Sequence, residues 1–416
     1  MSSLVSRTAT GRRSLNAKPL ASRLSSAPSF SEHALLVVVI GLSLFGAVMI
    51  ASASMALAAA DFGGPFFFVS RQLVFLALGG VVGVFLFRLP LAVWEKYGPH
   101  MIIVALVALA LVLVPGIGKE VNGSRRWIDL GVFTVQVSEV VKLLIIVYLA
   151  GYLVRRGHLV QSTFGGFIRP LVLMGLVSAL LLLEPDFGAS VVILGTALLM
   201  LFVAGVRFSQ FAALIAVVGT IAGLLIAFSP YRMRRFASFL DPFSDPFNTG
   251  FQLTQSLIAI GSGGITGVGF GASVQKLHYL PEAHTDFLFA VMGEELGLIG
   301  VVCLLIAYAF IVFRCFQLSA QAARVNLRFA SHVALGIGIW IGLQSFINIG
   351  VNMGVLPTKG ITLPLMSYGG SSVVVFAATF ALLLRVEWEV RNAARGSRDR
   401  VVGPASGGVV HGGRSL

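Results

Sequence analysis

Polar residues in this chain are sparse and bunched, and the stretches between them are apolar without a break. Ten of these stretches read as spanning helices, for which about 20 mainly apolar residues suffice. They lie near residues 34–55, 69–88, 100–115, 135–154, 170–184, 187–205, 210–228, 286–313, 330–352 and 371–386, the third and fifth being short. Because the apolar runs are continuous rather than alternating, a barrel of spanning strands is excluded. The expected fold is all-α: a polytopic membrane protein of about ten transmembrane helices, with a large extracytoplasmic loop (229–285) between helices seven and eight. The membrane domain is expected over 34–390. Residues 1–33 and 391–416 flank it as disordered cytoplasmic tails, the first basic and the second rich in Gly, Ser and Arg.

Composition agrees with a membrane protein. The 416 residues are 57% hydrophobic and 11% charged, which no soluble globular domain matches. A net charge of +13 would by itself suit a nucleic-acid partner, but its distribution argues otherwise. With both termini inside, 20 Lys and Arg fall on the cytoplasmic side and eight on the outer side. Positive-inside bias accounts for most of the charge, and no nucleic acid is expected. The outer cations, Lys119, Arg125, Arg126, Arg232, Arg234, Arg235, Lys276 and Lys359, become the unusual ones. Residues 1–31 carry no acid, a composition shared with organelle transit peptides, but a cytoplasmic tail also supplies the inside charge and is the preferred reading. No cleavable signal peptide is expected, since the first apolar stretch is long enough to span. Cys303 and Cys315, twelve residues apart on one helix, are about 18 Å from each other and read as packing residues.

The polar chemistry collects at a few places. In HYLPEAHTDFLFAVMGEELG (278–297), a loop with Pro281 delivers Glu282, His284 and Asp286 to the mouth of an apolar helix that also contains Glu294 and Glu295. Carboxylates there are costly and mark functional candidates. NGSRRWIDLG holds Arg125, Arg126, Trp127 and Asp129, either an interfacial anchor or a ligand contact. LEPDFG places Glu184 and Asp186 between two helices, where Asp186 is a helix cap or a second carboxylate. Glu139 and Lys142, three apart on one face of the fourth helix, form a pair that pins helices or lines a groove. PTKGITLPLMSYGGSS brings Lys359 and Tyr368 to the last helix. In the long loop, FQLTQSLIAI is an amphipathic piece and GSGGITGVGFG a tight segment that lacks the Gly-Lys-Ser/Thr ending of a phosphate-binding loop. Acids and cations mixed near one membrane face suit a large polar ligand carried on a lipid.

At these residues the chain resembles the SEDS family (shape, elongation, division and sporulation proteins). NGSRRWIDLG, VSEVVK, EPDFG, YLPEAHTDFLFAVMGEELG and LPTKGITLPLMSYGGSS occur in family order over roughly residues 35–390, and PEAHTDF with PTKG and SYGGSS is more similar to division-type than elongation-type members. The resemblance implies a glycosyltransferase of the bacterial inner membrane, acting at the division septum, that polymerises lipid II into β-1,4 glycan strands. It implies a class B penicillin-binding protein and other divisome membrane proteins as partners, and a divalent cation (Mg2+ or Mn2+). By motif it assigns the catalytic aspartate to Asp286, the functionally sensitive tryptophan to Trp127 and the fourth-helix charged pair to Glu139 and Lys142.

The reaction suits these residues. The acceptor's 4-hydroxyl attacks the donor's anomeric carbon and a pyrophosphate leaves with one inversion. An inverting hydrolase needs two carboxylates, one to protonate a poor leaving group; pyrophosphate leaves as a stable anion, so one base can suffice. Asp286 is expected to be that base. Arg125, Arg126 and Lys359 are candidates for the pyrophosphate, Trp127, Glu139, Lys142 and His284 for other substrate contacts, and Asp186 for a metal. Glu294 and Glu295 are expected to hydrogen-bond within the bundle. Two other functions compete: a lipid II flippase, disfavoured by the lack of an internal repeat, and a recruiting scaffold, which would need no acid at position 286.

Overall fold

The computed structural model describes residues 33–401, except 122, 130, 132, 230–232, 234–238, 249, 278, 358 and 359. Lys359, Arg232, Arg234, Arg235 and the tails 1–32 and 402–416 lie outside the described residues. Among the described residues eleven helices follow the apolar pattern: α1 (Ala34–Asp61), α2 (Phe67–Arg88), α3 (Leu91–Leu113), α4 (Val137–Ser162), α5 (Phe164–Leu183), α6 (Phe187–Val203), α7 (Phe208–Ala227), α8 (Phe251–Gly263), α9 (Leu288–Arg324), α10 (Arg328–Asn352) and α11 (Gly370–Val401). α11 continues past residue 390, where the membrane domain was expected to end.

Seven of these, α1 to α5, α9 and α10, are long and apolar enough to cross a membrane. α6 and the described part of α7 are shorter apolar helices. α6 is short because both ends are fixed by its sequence. Asp186 caps it by accepting a hydrogen bond from the Ala189 amide at 3.1 Å, and Gly205, at φ 96°, turns the chain away. α8 is the amphipathic piece of the long loop and packs against α9.

α4 and α10 form the centre. Each is 83% buried over its most apolar stretch, against 11% for α2, which faces outward. A helix apolar all round belongs in such an interior. Around this pair, α2 packs along α11, α3 along α4, and α9 along α10.

α9 is not continuous. At Gly297 the backbone takes φ 64° and ψ −161°, a conformation open essentially to glycine alone. The carbonyls and amides freed there are paired by the glycine-rich segment: Val268 N donates to Glu294 O (2.9 Å), Gly269 N to Glu295 O (3.2 Å), and Leu298 N to Gly264 O (3.0 Å). Irregular backbone at membrane depth is tolerated when its polar groups are satisfied in this way.

One element was not expected. Residues 118–136 form a small antiparallel sheet, β1 (Gly118–Val121), β2 (Ser124–Asp129) and β3 (Thr134–Gln136), in the order β1-β2-β3. The register pairs Gly118 with Ile128 and Trp127 with Gln136. Strands this short hold too few residues to show a two-residue period. Ser371 ties the sheet to α11, accepting from Gln136 N (2.8 Å) and donating to Thr134 O (3.0 Å).

Candidate active site

Asp286 lies two residues ahead of α9, in a turn that starts at Pro281 and Glu282. Glu282 sits at φ 57°, a left-handed conformation that costs a non-glycine residue about 1 kcal/mol or more. Its carbonyl repays this by accepting from Thr285 N (3.1 Å) and Phe287 N (3.2 Å). The Asp286 carbonyl is held from α10, accepting from Asn348 Nδ2 (2.9 Å) and Asn352 Nδ2 (3.0 Å). Backbone position is thereby set by two buried amides, and the side chain is left uncommitted. Among the described residues the carboxylate accepts no hydrogen bond. It stands beside Gly360, where an added Cβ would come within 3.1 Å of Oδ2.

Burial raises the pKa of Asp286 to about 7, and the like charges of Glu282 and Asp186 add to this while Arg126 opposes it. Glu184, the residue after α5, is fully buried with neither carboxylate oxygen partnered among the described residues. Burial first, then Asp186, push its pKa to about 8, again against Arg126. One guanidinium thus faces two acids that are both hard to ionise.

Arg126 owes that position to the pleat of β2, where alternate side chains face opposite ways. Its Nε donates to Glu184 O (3.1 Å) and its NH2 to Pro185 O (2.6 Å). Arg125, on the other face, donates to Glu120 Oε2 (3.0 Å) at the exposed edge. The two arginines expected to act together are therefore separated. Trp127 shares the face of Arg125 and is half-buried.

Asp186 has both oxygens in use, one on the α6 cap and the other accepting from Ser138 Oγ of α4 (2.9 Å). His284 is buried against Phe68 (4.4 Å) and Tyr368 (5.5 Å), and its carbonyl accepts from Tyr368 N (3.0 Å). Burial lowers its pKa, which favours the neutral imidazole.

Glu139 and Lys142 lie inside the bundle. Lys142 Nζ donates to Glu139 Oε1 (2.7 Å) and Gln344 Oε1 (2.9 Å) and lies 5.3 Å from the Trp340 ring. Gln344 Nε2 reaches Thr362 O (2.9 Å), and Asn348 Nδ2 reaches Ile361 O (2.6 Å). The pair therefore connects, through the 361–362 backbone, to the amides that hold Asp286. With 4% and 8% of their side chains exposed, Lys142 and Glu139 offer a ligand almost no surface here. Glu294 accepts from Ser273 Oγ and Val274 N, and Glu295 from Ser52 Oγ and Lys276 Nζ, all within the protein.

Sequence reading passed over Gln344, Asn348 and Asn352. Their signal is present: three amides spaced by four on an otherwise apolar helix share one face.

Among the described residues no three His, Cys, Asp or Glu side chains are grouped to hold a metal by themselves. Mg2+ is commonly held by one or two carboxylates together with substrate phosphates. Asp186, the residue expected to hold a metal, already has both oxygens in use, so a cation here would rest chiefly on substrate phosphates.

Fold and site together define a multi-pass helical membrane protein with two hard-to-ionise acids and one arginine gathered where helices meet a small sheet. Residues 32–392 match the cell cycle protein family of FtsW, RodA and SpoVE, and the chain belongs to that family. It is 50% identical over 380 residues to the probable peptidoglycan glycosyltransferase FtsW of Thioalkalivibrio sulfidiphilus, covering 91% of this chain and 93% of that one. It is 50% identical over 370 residues to the protein of the same description in Legionella pneumophila, covering 89% and 94%. Among solved structures it superposes on a chain from a peptidoglycan synthase complex described as coordinating polymerization and crosslinking (TM-score 0.70, 29% identity, 86% and 97% covered). The rod shape determining protein RodA of Thermus thermophilus superposes with TM-score 0.63 at 29% identity, covering 86% and 96%.

Proposed function

We propose that this chain is a peptidoglycan glycosyltransferase that polymerises lipid II into β-1,4 glycan strands during septal wall synthesis. The observation that carries the reading is Asp286: an uncommitted carboxylate with a pKa near 7, held by its own backbone at the mouth of α9. A general base works best when its pKa lies near the operating pH. Family membership and relatives named for this activity support it.

In this mechanism Asp286 accepts the proton of the acceptor's GlcNAc 4-hydroxyl as that oxygen bonds to the anomeric carbon of the donor MurNAc. The bond from that carbon to the pyrophosphate oxygen breaks, and undecaprenyl pyrophosphate leaves with inversion. Arg126 stands on the acid side of the sheet and is the described cation best placed for charge growing on the leaving group. A divalent cation held chiefly by the pyrophosphate, with Asp186 giving up one of its present hydrogen bonds, would neutralise the same charge.

The reading includes ten spans, with α6, α7 and α11 completing the seven, cytoplasmic termini, and the sheet and Asp286 on the outer face, where lipid-linked disaccharide is polymerised. It includes a class B penicillin-binding protein as partner, in keeping with the synthase complex whose chain this one resembles.

Purified protein with its penicillin-binding partner, lipid II and Mg2+ or Mn2+ should yield glycan polymer, and Asp286→Asn should abolish it while partner binding persists. Polymer from Asp286→Asn overturns the base assignment. Lipid II translocation without polymer, unaffected by that substitution, would instead make the protein a flippase.

A further inference from the structure

At the opposite end of the helices that carry the Asp286 surroundings lies a second, polar cavity. It has a volume of about 360 Å3 and is lined by Gly157, His158 and Gln161 of α4, Ala204 after α6, and Arg328 and His332 of α10. Among the described residues no Asp or Glu lines it. Arg328 and His332, four apart on α10, face it together, and Nδ1 of His332 is buried with no hydrogen-bond partner among the described residues. α10 begins there without a side-chain cap and with no acid in its first turn, so its unpaired amides add positive potential. Gln161 is already anchored, donating to Ala204 O (2.7 Å). Among the described residues the acids of α11 are already paired, Glu387 with Arg314 and Arg391, and Glu389 with Arg385. Arg155, Arg156 and Arg207 are exposed beside the cavity in sequence.

These features call for an anion. Its source is indicated by the apolar surroundings: Leu153 and Val154 form part of the wall, and Leu199, Phe202 and Val203 expose side chains on α6 directly before Ala204. We propose that the cavity binds the phosphodiester headgroup of an anionic phospholipid, with its acyl chains along the exposed face of α6. Basic pockets between helices at a membrane face suit such headgroups. The bound lipid would tie together α4, α6 and α10, whose far ends carry Ser138, Asp186, Asn348 and Asn352. This proposal is independent of the glycosyltransferase reading.

The test is native mass spectrometry of the full chain released from mixed phosphatidylglycerol and phosphatidylcholine micelles, with thermal unfolding alongside. Wild type should retain phosphatidylglycerol selectively and melt higher with it. Arg328→Gln should bind about fivefold more weakly, the weight of one basic residue at an anionic surface, and His158→Ala should also weaken retention. Arg88→Gln, an exposed arginine on α2 away from the cavity, should not. Equal retention by wild type and both cavity variants overturns the proposal. Equal protection by inorganic phosphate without lipid overturns the lipid as occupant and leaves a soluble anion in its place.

Discussion

Two carboxyl groups, Asp286 and Glu184, share one arginine, and their titration separates their roles. Asp286, near 7, must be ionised to act as base, so polymerisation should fall as pH drops through about 7. Removing a like charge with Glu282→Gln should move that acid limb downward, measured as kcat/KM against pH; an unchanged limb would mean another group titrates. Glu184 has a folded pKa of about 8 against 4.5 unfolded, so folding favours its protonated form. Its stabilising contribution is complete below about pH 4.5 and is lost as pH rises through 8. Glu184→Gln should therefore flatten the decline in melting temperature between pH 5 and 9 while leaving polymerisation at pH 7 largely intact. Neither property was readable from residue type. Both depend on burial and on a guanidinium brought from a strand distant in sequence, 58 residues away in the case of Glu184.

At the level of elements, the apolar spans were legible because uninterrupted hydrophobic runs need no partner to declare themselves. The sheet was not, and it decides which arginine matters: β2 turns Arg126 toward the acids and Arg125 toward Glu120. Arg126→Ala should thus impair polymerisation far more than Arg125→Ala in a paired comparison of purified variants. Gly360 belongs to a segment read for its lysine, yet its missing Cβ is what admits Asp286 Oδ2. Gly360→Ala would push Oδ2 by a few tenths of an ångström, so kcat should fall, but by well under the ~100-fold of a full ångström misplacement, with an unchanged melting temperature. The break in α9 at Gly297 likewise became visible only with the glycine segment paired against it.

For the whole molecule, the central question left by the sequence was whether Glu139 and Lys142 brace the bundle or touch substrate. Their burial between α4 and α10 favours bracing. Lys142→Met should destabilise by roughly 3–5 kcal/mol, because an unpaired carboxylate is left inside. The double variant Glu139→Gln/Lys142→Met should recover most of the melting temperature, and recovered stability without activity would instead assign Lys142 to the substrate. By itself the sequence determined that the chain is a helical membrane protein with acids gathered at one helix mouth, because hydropathy and local spacing are properties of contiguous residues. Tertiary structure alone decided which acids stay without a hydrogen-bond partner, which arginine faces them and which amides of α10 hold Asp286. Those outcomes depend on burial and on contacts between residues distant in the chain, and no local pattern encodes them.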